Sequence, residues 1–144
     1  MKILIMGLPG SGKTVLAQAL APMLGAVRMD GEELRANIVK NLGLSLEDRI
    51  EQARRLGWIC DRIAEAGHVA IADFGCSTQE EREAFGSAFV VLIDGDENNA
   101  SVEPASKFGA PENPHVRVSP ANSPTENAKR ICDLLESYKR AGGS

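Results

Sequence analysis

Eight consecutive residues, Gly7-Leu8-Pro9-Gly10-Ser11-Gly12-Lys13-Thr14, put a lysine and a hydroxyl directly behind a glycine-rich turn. The run fits GxxxxGK[ST] at every fixed position. Glycines let the backbone curl so that successive N–H groups point inward at an anion, and a helix opening behind them adds its dipole. In such a loop Lys13 reaches the β and γ phosphates of a nucleotide and the Thr14 hydroxyl ligates Mg²⁺. A turn that merely joined a strand to a helix would need neither side chain. The expected ligands are therefore ATP and Mg²⁺, cradled by Gly7 to Thr14.

Other groupings of reactive residues are weaker. Asp73-Phe74-Gly75 spells the DFG of protein kinases, but the chain has no HRD motif and its phosphate loop is of the Walker A kind. Asp94, Asp96 and Asn98 imitate the start of an EF-hand, yet the sixth position is Asn99 and the twelfth Ala105, where that loop needs Gly and Glu. No NKxD guanine-reading motif is present. Cys60, Cys76 and Cys132 are odd in number and widely spaced, which argues against a disulfide framework or a zinc site and for a reducing, cytoplasmic setting. His68 and His115 have no other ligand-type residues around them.

The elements that must position the loop follow from periodicity. Ile3 to Met6 is a short unbroken apolar run of the kind found in buried parallel strands. Thr14 to Leu24 reads as a helix closed by Gly25, loosening near Pro22. A second strand covers Ala26 to Met29. Asp30 then opens a helix, with Glu33 at capping-box spacing. Ser45 and Asp48 open a longer one that ends near Gly67, with an apolar stripe at Ile50, Ala53, Leu56/Gly57, Cys60 and Ile63/Ala64. Val69 to Ala72 forms a third strand ending at Asp73, Thr78 to Phe85 a short helix, and Phe89 to Ile93 a fourth strand. Residues 94–114 are polar and read as a short lid-like loop. Val116 to Val118 is a marginal fifth strand. Ser123-Pro124-Thr125-Glu126 starts a last helix, which buries Ala128, Ile131, Leu134, Leu135 and Tyr138. This alternation implies an α/β chain: a three-layer P-loop NTPase fold with a parallel sheet of about five strands, in one domain over residues 1–144. Ligands in such a sheet sit at the carboxyl ends of the strands.

Composition narrows the partners. The chain has 144 residues and a net charge of −4, which disfavours a broad nucleic-acid surface. No run is long enough for a membrane span, and the apolar start is too short for a signal peptide. A small-molecule substrate is expected.

The stretch after the second strand resembles a family. Asp30-Gly31-Glu32-Glu33-Leu34-Arg35 is similar to the DGDxxR motif of adenylyl-sulfate (APS) kinases, and Leu42-Gly43-Leu44-Ser45 to their LGFS. Asp48-Arg49-Ile50-Glu51-Gln52 with Arg54-Arg55 resembles their DRxENxRR, and Ala66-Gly67-His68 continues the pattern. Pro111-Glu112-Asn113-Pro114 echoes the segment after their lid. The likeness is good over residues 1–93 and poor beyond. It implies transfer of the ATP γ-phosphoryl to the 3′-hydroxyl of adenylyl sulfate, in a protein compatible with a homodimer. It also implies roles. Lys13 and Asp30 would act in catalysis, with Asp30 orienting the acceptor hydroxyl or taking its proton. Arg35 and Arg49 would bind the phosphosulfate, Gln52 would stand at the family's asparagine, and Phe74 would stack on the substrate base. Arg54 and Arg55 cannot both face the site from one helix.

Four features depart from the pattern. Val39 replaces an asparagine, Gln52 is one methylene longer than the family residue, and Phe74-Gly75-Cys76-Ser77 replaces FISP. The lid is short of positive charge: Lys107 stands against Asp94, Asp96, Glu97, Glu103 and the adjoining Glu112. Asp73 is an added acid where the family carries a small residue, and it gives the third strand a Walker B ending. It is a second candidate for catalysis or for the Mg²⁺ shell. These departures keep two further readings open: a P-loop kinase for another hydroxyl-bearing metabolite or modified nucleotide, and a non-catalytic nucleotide-binding module.

Overall fold

The computed structural model describes residues 1–94, 111 and 113–142. Its elements run β1 (Lys2–Met6), α1 (Lys13–Leu24), β2 (Val27–Asp30), α2 (Gly31–Asn37), α3 (Leu46–Glu65), β3 (Ala70–Asp73), α4 (Gln79–Phe85), β4 (Phe89–Ile93), β5 (Val116–Val118) and α5 (Pro124–Arg140). The strands pair in the order β2-β3-β1-β4-β5, and every pairing is parallel. The lid-like loop and the EF-hand-like run fall almost wholly outside the described residues.

Strand residues alternate between two cores, as a period of two requires. Ile3, Ile5, Ile71, Phe89 and Val91 pack beneath α1 and α5, against Leu16, Leu20, Ile131 and Leu135. Leu4, Met6, Ala72 and Leu92 face the other way, against Leu34, Leu56, Cys60 and Phe85 of α2, α3 and α4. Both faces of the sheet are covered, which is why its strands read as continuous apolar runs rather than as alternating ones.

The helix ends follow their residues. Ser45 accepts from the Asp48 backbone N–H and Ser123 from that of Glu126, both at 3.1 Å. Asp48 does not close a reciprocal box with Ser45; its Oδ2 accepts from Gly43 N at 2.7 Å and pins the preceding turn. Pro22 leaves α1 intact as far as Leu24. It removes a single bond to the carbonyl one turn back, and Gly25, at φ 58°, closes the end with Ala26 N donating to Ala21 O at 2.9 Å. The α3 stripe centres on Ala53, Leu56, Gly57 and Cys60. Gly57 is required there: a Cβ would lie 2.2 Å from the Phe85 carbonyl oxygen, so α3 and α4 approach this closely only across a glycine. On α5, Leu134 and Tyr138 are only partly buried, and Asn127 joins the buried face by donating to Ser119 O at 2.9 Å.

Candidate active site

The phosphate loop lies between β1 and α1, with Gly10 at φ 80° and Gly12 at φ 96°. Those angles belong to glycine, and they turn the backbone into the concave form that exposes its N–H groups. The start of α1 carries no side-chain cap and no acid in its first turn. The other four described helices are each capped, by Asp30, Ser45, Thr78 and Ser123, and each has an acid in its first turn. The free donors of α1 are thus left for a ligand anion. Lys13 Nζ folds back to donate to Gly7 O at 3.0 Å and Leu8 O at 3.1 Å. Burial lowers its pKa, and the charges of Asp73, Glu32 and Asp30 limit the fall.

Beside the loop, β2 and β3 end on two acids in aligned register, Asp30 opposite Asp73. Asp30 divides its oxygens. Oδ1 accepts from Glu32 N at 2.8 Å and Glu33 N at 3.0 Å, capping α2, while Oδ2 accepts from Thr14 Oγ1 at 3.0 Å. Burial pushes this carboxyl upward. The hydrogen bonds from Glu33 N, Thr14 and Glu32 N, with the nearby Arg28 charge, outweigh it and hold the pKa below the ordinary value. Asp73 is 3 % exposed, and both of its carboxylate oxygens are buried without a hydrogen-bond partner. Burial, then the Asp30 charge, push its pKa up to about 7, with Arg28 opposing.

A cavity of about 600 Å³ opens between the loop and the ends of these strands. It brings Lys13, Thr14, Asp30, Arg35, Arg49, Gln52, Asp73 and Phe74 together. Arg35 and Arg49 are both tethered by protein groups. Arg35 Nη1 donates to Leu42 O at 3.2 Å and Gly43 O at 2.9 Å, and Nη2 to Gln52 Oε1. Gln52 in turn donates to Gly31 O at 3.0 Å, tying α3 to the start of α2. Arg49 Nη1 reaches Ser77 Oγ at 3.1 Å and Glu81 Oε1 at 3.3 Å. Phe74 is buried with one side on Phe85, ring centroids 5.4 Å apart, and lines the cavity with what remains. A Cβ on Gly31 would meet the Phe74 Cβ at 2.6 Å, so the glycine after Asp30 sets how closely that ring can stand to α2.

Arg54 and Arg55 both turn away from the cavity. Each bonds Glu51 at 2.6 Å, and Arg55 also reaches Asn41. Cys76 is buried at φ 30°, and burial pushes its thiol pKa upward. His115 accepts from Val90 N through Nδ1 and stacks on Phe89, far in the chain from the acids.

The oxygens present suit a divalent cation. A hydroxyl, a hydrogen-bonded carboxylate and a buried carboxylate with no hydrogen bond on either oxygen are hard donors of the kind Mg²⁺ takes. Among the described residues no three Asp, Glu, His or Cys side chains form a complete metal cage. Mg²⁺ ordinarily fills its remaining positions with phosphate oxygens and water. Thr14, with Asp30 and Asp73 behind it, would hold the ion at the phosphate end of the cavity.

Two charges, one half-buried and one buried, could not be read from spacing alone. Arg28 sits in β2 with one nitrogen facing both acids, 3.6 Å from Asp30 Oδ2 and 3.9 Å from Asp73 Oδ2. Glu81, 3 % exposed, lies under Arg49. A basic residue two before a strand-end acid, on the same face, was the available signal for Arg28.

The family model for adenylylsulphate kinase matches residues 1–92. The chain belongs to the adenylyl-sulfate kinase family. The adenylyl-sulfate kinases of Shewanella baltica (strain OS195) and Shewanella pealeana are 37% identical over 90 residues and 39% identical over 88. Those stretches make up 59% and 58% of this chain but 44% and 43% of the relatives, so the chain spans less than half their length. The solved structure of the Mycobacterium tuberculosis APS kinase CysC in complex with AMPPNP and APS superposes with a TM-score of 0.81 at 26% identity, covering 94% of this chain and 96% of that one. The motifs at 30–55 thus lie within the family match, and the three-layer P-loop fold is shared over nearly the whole chain. No helix among the described residues is long and apolar enough to cross a membrane.

Proposed function

We propose that this adenylyl-sulfate kinase family member transfers the γ-phosphoryl group of ATP to the 3′-hydroxyl of adenylyl sulfate. The observation that carries this reading is convergence. The phosphate loop, two strand-end acids and two arginines from different helices surround one cavity. Phosphoryl transfer asks the protein for positioning and charge neutralisation more than for covalent chemistry, and those are the parts assembled here. The loop N–H groups and Lys13 hold and neutralise the donor phosphates. Mg²⁺ would supply further neutralisation of the charge that develops on them. Asp30, fixed by its own helix cap, orients the acceptor hydroxyl or takes its proton, and Asp73 is the second carboxylate within reach of that position. Arg35 and Arg49 face the acceptor's anionic group, and Phe74 supports its base.

The decisive measurement is ADP release by purified protein with ATP and Mg²⁺, titrated with adenylyl sulfate. Release that rises with adenylyl sulfate and disappears in Lys13→Ala and Asp30→Ala supports the reading; release indifferent to adenylyl sulfate overturns it. One observation favours a second acceptor class. The cavity is lined by Lys13, Arg35 and Arg49 but also by Asp30, Glu32, Asp73 and Glu81, and both arginines are partly engaged by the protein. Such a lining suits a hydroxyl-bearing metabolite or modified nucleotide of lower negative charge. A panel of alcohols and nucleosides in the same assay separates the two.

A further inference from the structure

Asp73 poses a problem of its own. It stands beside Asp30 in register on the neighbouring strand, is nearly wholly buried, and receives no hydrogen bond on either oxygen. Two carboxylates so placed repel each other and resist burial. Only one cationic side chain among the described residues ion-pairs with both of them. Arg28 Nη1 faces Asp30 Oδ2 and Asp73 Oδ2 together, buried and without a hydrogen bond of its own, while Nη2 reaches outward to Glu33 Oε1 at 3.3 Å. The contacts to the two acids are too long for hydrogen bonds, so the guanidinium acts on them through its charge. Arg28 is not among the residues that line the cavity.

We infer that Arg28 is a positioning residue: its guanidinium, set behind Asp30 and Asp73, lets the two carboxylates stand side by side and keeps them aimed at the phosphate-loop end of the cavity. The inference rests on the proposed kinase reading for its functional meaning, but its physical core is the dependence of Arg28 on Asp73. An arginine that served the fold independently of the acid pair would matter equally whether or not Asp73 were present. A positioning arginine matters because Asp73 is there. Mg²⁺, arriving from the cavity side, would offset the same repulsion from the opposite direction, so the cost of losing Arg28 should shrink when the ion is supplied.

The test is a double-mutant cycle of Arg28→Leu, Asp73→Ala and the pair, read by thermal melting above neutral pH with and without Mg²⁺, and by binding of ADP with and without Mg²⁺. Arg28→Leu should lower Tm by several degrees in metal-free buffer. Saturating Mg²⁺ should recover most of that loss, and in the Asp73→Ala background the same substitution should cost far less. In turnover with the acceptor, Arg28→Leu should lower kcat by about tenfold with the KM for ATP little changed, because it disturbs orientation rather than nucleotide capture. Arg28→Lys, which keeps a charge on the strand, should recover part of kcat. Equal melting losses in both Asp73 backgrounds overturn the inference, as does a loss that Mg²⁺ leaves untouched. If Arg28→Leu does not fold, folding of the double variant supports the inference, and failure of both overturns it. Melting and ADP binding need no acceptor. A parent protein without adenylyl-sulfate-dependent turnover would therefore end the proposed function and leave this cycle readable.

Discussion

Thr14 donates its hydroxyl hydrogen to Asp30 Oδ2 across 3.0 Å, joining the phosphate loop to the end of β2. The bond couples the hydroxyl proposed to face the donor's metal to the carboxylate proposed to face the acceptor. The Asp30 carboxylate is also the cap of α2. One side chain therefore fixes the register between the donor half of the site and the helix that carries Arg35.

Lys13 is expected to be needed for chemistry and hardly at all for folding. Its ammonium is held by two carbonyls that water could satisfy equally well once the side chain is gone. Lys13→Ala should lower kcat by about 100-fold or more, the scale of losing a fixed positive donor at a transferring group. Its Tm without nucleotide should stay close to that of the parent. Steady-state kinetics beside thermal melting on the same preparation checks both halves.

Asp73 should make stability fall as pH rises. Its folded pKa, raised by burial to about 7, lies above the ordinary 3.8. Between those values the folded protein keeps a proton that the unfolded chain gives up. The group therefore costs nothing below the lower pKa, costs progressively more up to the higher one, and is constant above it. Asp73→Asn mimics the protonated form. It should match the parent in acid and exceed it above neutral pH by an amount bounded at about 4 kcal/mol, from ~1.4 kcal/mol per unit. Urea titrations of both proteins across the range would show the curves diverging with pH; a constant offset would contradict the account.

Gly31→Ala should destabilise the protein and disturb the acceptor side together. The new methyl would sit 2.6 Å from the Phe74 Cβ, so either α2 or the β3 end must shift. Overpacking of this sort costs about 1–3 kcal/mol. Denaturant melts give the loss of stability, and the KM for the acceptor should rise more than the KM for ATP, because the phosphate loop is not part of the clash.

Arg49→Ala should be harmful mainly through the partner it abandons. Glu81 is 3 % exposed and would be left with hydroxyl donors alone. The expected cost is about 2 kcal/mol, less than for a wholly buried pair because the Arg49 side chain is 36 % exposed. Adding Glu81→Gln should return much of that stability without restoring acceptor binding. Chemical denaturation of the single and double variants separates the two effects.

Sequence reasoning reached the elements that depend on neighbours in the chain. The phosphate loop declares itself by spacing and by the strand before it. Asp30, Ser45 and Ser123 declare helix starts because a cap acts within three residues. Residues whose meaning depends on strand register were beyond it. Arg28 looks like an edge-strand cation, and only the alignment of Asp30 with Asp73 reveals what it faces. Glu81 looks like one of several acids in a short polar helix, and only the approach of α3 buries it under Arg49. The tethering of Arg35 by the Leu42 and Gly43 carbonyls was hidden for the same reason, since it depends on how the turn before α3 folds back.

The two cores described above divide the labour of the molecule. The cavity wall that carries Asp30, Arg35, Arg49 and Phe74 comes from β2, α2, α3, β3 and the start of α4, on one side of the sheet, whereas α5 with its Ile131 and Leu135 packs wholly on the other. Durability and selectivity are therefore separate dials. An engineer could rebuild the exposed α5 surface to lengthen thermal lifetime without touching Asp30, Arg35, Arg49 or Phe74. A lineage could likewise drift on that exposed face, while Ile131 and Leu135 stay tied to α1, the helix that opens with Lys13 and Thr14.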